Sequence, residues 1–134
     1  MVFTAQPLLR DEEEAFGEGI ALFNSGKYWH AHEAWEGMWN QLKQRHASSE
    51  EIALIQGLIQ TAALLFHYEK KNTSGVVKQW NKLQPKLEGW HIAWGLEIAE
   101  ILSAVSKYAV HTLNWSLDPH EVQLIPTRGS SESL

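Results

Sequence analysis

The sequence predicts an all-α fold, a single-domain bundle of about five helices built from antiparallel helical hairpins. Three observations carry that expectation. Apolar residues recur at helical spacing through most of the chain, no alternating run is long enough for a sheet, and clusters of Gly, Asn and Ser cut the periodic stretches into segments of helix length. At 134 residues and 44% hydrophobic, the chain suits one domain spanning residues 1–134, with an ordered core over about 11–115 and an irregular tail over 116–134. Seven tryptophans can fill a small helical core with few residues.

The first helix is expected from Asp11 to Ser25. Asp11 opens it, Glu12, Glu13 and Glu14 lie at its positive end, and Phe16, Ile20 and Phe23 form its apolar stripe. Gly26 stops it, and the short connection through Lys27 folds a second helix, Tyr28 to Arg45, back against it. Ser48 followed by Glu51 is a capping-box pattern that starts a third helix, Ser49 to Lys71. That helix is apolar on nearly every side, with Leu54, Leu58 and Leu65 on one face and Ile52, Ile55, Ile59 and Phe66 on another, so it belongs at the centre. Asn72-Thr73-Ser74-Gly75 begins a fourth helix with Val76, Trp80, Leu83 and Leu87 inward, which Pro85 is expected to kink or shorten. A fifth helix, from Gly89 or Trp90 to Asn114, presents Trp94, Ile98, Ile101, Val105, Tyr108 and Thr112. Beyond Trp115, Pro119, Pro126 and Gly129 argue for an irregular tail, frayed from Thr127 on.

The charge balance narrows the function classes. A net charge of −5 and scattered Lys and Arg make nucleic acid an unexpected partner. The lysines at 78, 82 and 86 read as a solvated face of the fourth helix. Without cysteine there are no disulfides, thiolate chemistry, zinc knuckles or iron–sulfur ligation. Met1 to Leu9 lacks signal-peptide features and no apolar run approaches membrane-span length, so no membrane association and a cytoplasmic setting are expected. Trp90 and Trp115 would cover either the chain's own tail or the interface of a homo-oligomer.

The segment Tyr28-Trp29-His30-Ala31-His32-Glu33-Ala34-Trp35-Glu36-Gly37-Met38-Trp39 carries the chemistry. At about 100° per residue, Tyr28, His32, Trp35 and Trp39 share one helix face, with Glu36 at its edge. His30 lies about 200° from His32, so both cannot grip one ion, and His30 belongs on the solvent side. A second polar line, Gln56, Gln60 and His67, runs along the otherwise dry third helix. If the second and third helices are antiparallel about the loop near His46, His32 is level with Gln60 and Glu36 with Gln56. The candidate site is therefore His32 and Glu36, the pair able to act as acid and base, with Gln56, Gln60, His67 and Trp39 as ligand-binding groups; His67, about 10 Å along the axis beyond Gln60, joins only if long side chains lean inward.

Three readings fit these residues. In the first, the cluster is a structural hydrogen-bond network in a non-catalytic binding or scaffold domain. In the second, His32 and Glu36 bind a divalent metal ion, completed by water or His67; two well-placed donors are few for that task. In the third, the cluster lines a pocket for a small-molecule ligand, with hydrolase-like acid–base chemistry.

These residues also form a recognisable set of words. His32, Glu36 and Trp39 spell H-x-x-x-E-x-x-W. Phe23-Asn24-x-Gly26-x-Tyr28 precedes it, Leu54-Ile55-Gln56-Gly57-Leu58-Ile59-Gln60-x-Ala62-Ala63 with His67 follows it, and Asn72-x-x-Gly75 marks the next turn. Over roughly Phe16 to Leu87 the chain resembles the bacterial and archaeal helical proteins grouped as domain-of-unknown-function family 309. The resemblance implies an all-helical bundle of about five helices and metal binding through the motif. His30 stands where relatives are expected to carry an acidic residue.

Overall fold

The computed structural model describes residues 2–112 and 115–127. The elements are α1 (Arg10–Asn24), α2 (Tyr28–Gln44), α3 (Ser49–Glu69), α4 (Thr73–Leu87), the two-residue strands β1 (Ile92–Ala93) and β2 (Leu96–Glu97), α5 (Ile98–Val110) and a single 3₁₀ turn (Pro119–Glu121). Connections of three or four residues join α1 to α2, α2 to α3 and α3 to α4, and each helix packs along the one before it. The result is an all-α bundle with α3 at its centre.

Local chemistry sets the boundaries. α1 starts one residue earlier than Asp11 because Glu12, not Asp11, closes its first turn: Glu12 Oε1 accepts from the Leu9 N–H at 2.9 Å. At the far end Gly26 adopts φ +77°, and a β-carbon there would fall 2.2 Å from the His120 ring. The reciprocal box opens α3, with the Glu51 N–H donating to Ser48 Oγ at 3.1 Å and Ser48 Oγ–H donating to Glu51 Oε1 at 2.8 Å. Asn72 Oδ1 caps α4 by accepting from the Gly75 N–H at 3.0 Å. α4 runs past Pro85 to Leu87; so near the C-terminus, the missing N–H leaves only one carbonyl without its helical partner.

The expected fifth helix is corrected at its start. Residues from Gly89 to Glu97 are not helical; Ile92 pairs with Glu97 and Ala93 with Leu96 across a hairpin. Its two turn residues, Trp94 and Gly95, both have positive φ, 51° and 82°, the backbone of a type I′ turn. Trp94 is held in this uncommon conformation by tertiary contacts. Its Nε1–H donates to the Gln6 carbonyl at 3.0 Å and its ring meets Phe16 edge-on at 5.6 Å. The end of that helix is corrected too: α5 stops at Val110, with His111 as cap, and not at Asn114; the expected fraying beyond Thr127 lies outside the described residues.

The core is a layer of aromatic and aliphatic side chains on both sides of α3. Phe23, Tyr28, Trp35, Met38, Leu54, Leu58, Leu64, Leu65, Val76, Leu83 and Tyr108 are all buried. The segment 115–127 is irregular yet packed, since Val122 and Leu124 are buried against the bundle. Asn24 binds Leu124 through both backbone groups, at 2.8 and 2.7 Å. At the other end of the chain the Phe3 ring is tilted against buried Trp90 at 5.3 Å, while Trp115, partly buried, meets the Tyr68 ring at 5.0 Å.

Candidate functional site

α2 and α4 flank α3, and between them one stripe of α3 is left uncovered as the floor of a cleft. The floor is Gln56, Ile59, Gln60 and Ala63, spaced to fall on a single helix face. His32, Glu36 and Trp39 form the α2 wall, again at one-face spacing, and Gln79 and Lys82 form the α4 wall. The cleft encloses about 240 Å³. A larger hollow of about 570 Å³ lies between α5 and residues 121–127, but none of the unpartnered buried polar atoms lines it.

The α2 wall is positioned by stacking. The His32 imidazole lies parallel to the Trp29 indole, centroids 4.8 Å apart and planes 11° from parallel, and Trp29 in turn leans on Phe66 at 5.4 Å. His32 Nδ1 is 3.6 Å from Glu36 Oε1, an ion-pair distance too long for a hydrogen bond. The His32 side chain is 18% exposed and that of Glu36 47%, so the pair joins the buried end of the cleft to its mouth. Lys43 Nζ sits 3.5 Å over the Trp39 ring and covers one of its faces.

Three polar atoms on these surfaces are buried and make no hydrogen bond: His32 Nδ1, Trp39 Nε1 and Gln60 Oε1. One is an obligate donor, one an acceptor, and one takes either role with the tautomer. Of the network expected among His32, Glu36, Gln56 and Gln60, the His32–Glu36 contact is present at 3.6 Å, while Gln60 Oε1 has no hydrogen-bond partner.

Of the predicted residues, His32, Glu36, Trp39, Gln56 and Gln60 line this one cleft. His67 does not. It sits at the α3–α4 turn, its Nδ1 3.3 Å from Asn72 Nδ2 and its ring packed where a β-carbon on Gly75 would fall. Burial there pushes its pKa below the ordinary histidine value. His30 faces away, paired with Glu33 at 3.3 Å on the exposed side of α2.

Without His67, only His32 and Glu36 remain as donors of the usual metal-ligating types in the cleft, and among the described residues no three of His, Cys, Asp or Glu converge. Two such ligands fall short of the three that a catalytic zinc site takes from protein, and a lysine lines the facing wall. These residues do not fit a resident divalent metal.

Gln79 and Lys82 were not singled out by the sequence, where Lys82 reads as solvated surface. The signal lay in the register across the α3–α4 turn. His67 lies against Gly75 and Leu87 against Gly57, which sets Lys82 level with residues 60–61 of α3.

Residues 16–79 match the family model described as Domain of unknown function (DUF309). That stretch contains every residue of the cleft except Lys82. No curated protein and no solved structure matches the chain. Among the described residues no helix is long and apolar enough to cross a membrane.

Proposed function

Taking as premise that the chain belongs through residues 16–79 to the DUF309 family, whose description names no activity, we propose that it binds a small polar molecule in the α2–α3–α4 cleft. One observation carries this: His32, Glu36, Trp39, Gln56 and Gln60 line one cleft, and three of them carry a buried atom without a hydrogen bond, His32 Nδ1, Trp39 Nε1 and Gln60 Oε1. An unpaired buried polar group costs about 1–3 kcal/mol, so three together cost several kcal/mol that a ligand with complementary groups would offset. The cleft volume of about 240 Å³ falls below the roughly 300–1,000 Å³ of drug-sized pockets, which favours a ligand of metabolite size.

The same geometry supplies an acid–base pair. His32 Nδ1 lies 3.6 Å from Glu36 Oε1, so an imidazole and a carboxylate stand side by side on one wall of the cleft. Glu36, half in water, can accept or return a proton at the cleft mouth. Proton transfer to or from a bound carbonyl, amide or water is the reaction class this arrangement supports, and hydrolysis is its simplest form.

The test is a screen of neutral and charged polar fragments against ¹⁵N-labelled protein, following the Trp39 indole N–H signal, in the wild type and in His32→Ala and Glu36→Gln. Fragments that shift the signal only in the wild type, with Glu36→Gln within about 0.5 kcal/mol of wild-type stability, support the reading. A screen in which no fragment moves Trp39 sinks it. Stoichiometric metal in protein purified without a histidine tag would overturn the donor-set argument as well.

A further inference from the structure

We infer that the ligand of this cleft is dipolar: a small amino acid or a molecule of that class, with its anionic end met by Lys82 and its ammonium end met by Glu36 and Gln60 Oε1. This rests on the preceding reading that the cleft binds a small polar molecule, and it adds the charge pattern that the ligand must match.

The two walls carry opposite charge. The α2 wall presents the carboxylate of Glu36 and the α4 wall the ammonium of Lys82, with α3 between them as floor. Among the described residues no carboxylate pairs with Lys82, and the ion pair of Glu36 is with His32 at 3.6 Å. Packed helices lie about 8–10 Å axis to axis, so two helices flanking a third face each other over a gap that a bridging molecule can span.

Lys82 also lacks compensation along its own helix. The neighbouring Lys86 has its pKa lowered, first by burial and then by the charge of Lys82, so this edge of α4 is a cationic strip. A purely cationic ligand would meet Lys82, and a purely anionic one Glu36; only a molecule carrying both signs meets favourable charge on both walls.

The uncharged groups continue the pattern. Gln60 Oε1 is an acceptor on the floor without a hydrogen-bond partner and suits an ammonium N–H, while Trp39, on the same wall as Glu36, reports occupancy of the cleft. Ile59 and Ala63 supply an apolar strip of floor for a short aliphatic middle. Gln56 and Gln79 add carboxamides able to serve either end.

The probes are the free α-amino acids, their carboxamides, which lack the carboxylate, and the matched carboxylic acids without an amino group. Each is titrated against ¹⁵N-labelled wild type, Lys82→Gln and Glu36→Gln, reading the Trp39 indole and Gln60 side-chain signals. The expected result is that at least one free amino acid binds about tenfold tighter than both truncated forms, a difference of about 1.4 kcal/mol. Lys82→Gln should remove the advantage over the carboxamide, and Glu36→Gln the advantage over the amine-free acid. Lys82 is exposed, so Lys82→Gln should fold as the wild type does. Carboxamides binding as tightly as free amino acids, or amino-acid affinity unchanged in Lys82→Gln, would overturn the inference. If these three sets are silent while neutral fragments still move Trp39, the inference falls and the binding reading stands; if nothing moves Trp39, both fall.

Discussion

A β-carbon on Gly19 would lie 2.1 Å from Trp35 Nε1, inside a contact where the indole donates to the Phe16 carbonyl at 3.2 Å. Trp35 is fully buried and cannot swing away without opening the core. Gly19→Ala should therefore cost about 1–3 kcal/mol, measured by urea unfolding, although alanine is the better helix former. At the same scale the sequence resolved the two histidines of the motif, because about 100° per residue already turns His30 outward and His32 inward. It set His67 about 10 Å along the axis from Gln60 but not the neighbours that hold it there. A helix stripe fixes direction but not what covers it, and the Asn72-capped start of α4 covers that end of α3. Lys82 was hidden for the same reason: its own helix gives it a solvated face, and only the neighbouring helix makes that face a wall.

Between elements, α1 and α2 are fastened at their open end by Glu12 and Arg45. Arg45 Nη2–H donates to Glu12 Oε1 at 3.0 Å and Nε–H to the other oxygen, and the Glu12 side chain is only 3% exposed. Burial alone would raise the carboxyl pKa; the Arg45 guanidinium and the Leu9 N–H outweigh it and hold Glu12 below the usual carboxylate range. A folded value below the unfolded one, about 4.3, means this stabilisation is present above that pH and is lost as pH falls through the folded value. The melting temperature of the wild type should thus fall more steeply than that of Glu12→Gln on going from pH 6 to pH 3. At neutral pH, Arg45→Met should cost about 1–3 kcal/mol, because it leaves a buried carboxylate with one fewer partner.

The elements themselves were legible from α1 to α4, where stripes, caps and Gly or Asn stops agree. The failure from Gly89 to Glu97 has a physical cause. Trp94 falls at helical spacing from Ile98 and Ile101 of α5 by coincidence, and a hairpin with two paired residues on each side is too short to display alternation. Trp94-Gly95 was the available sign, since Gly suits the positive φ of a two-residue turn. Trp94 accepts its own positive φ only because the Gln6 carbonyl and Phe16, far away in sequence, hold its ring.

Across the whole molecule, residues 115–127 tie the bundle together. Leu117 N–H donates to the Tyr68 hydroxyl at 3.1 Å, Tyr108 O–H donates to the Asp118 carbonyl at 3.0 Å, and His120 Nε2 meets Glu69 Oε2 at 3.1 Å. Burial, with the charges of Glu121 and Asp118, pushes the Tyr108 hydroxyl up to about 12, so it stays protonated as a donor to mildly alkaline pH. Asn24→Ala deletes both bonds to Leu124 and should cost about 1–3 kcal/mol, with faster hydrogen exchange at the Leu124 amide while amides of α3 keep their protection.

That clasp also orders events in time. Asn24 and Leu124 are 100 residues apart, whereas α1 to α4 assemble from neighbours joined by three or four residues. Contacts between near neighbours form before contacts that must close a long loop. The cleft draws all its residues from between His32 and Lys82, so its walls and floor stand complete before the clasp closes. A growing chain would thus present a finished cleft while the segment that later fastens the bundle is still being made.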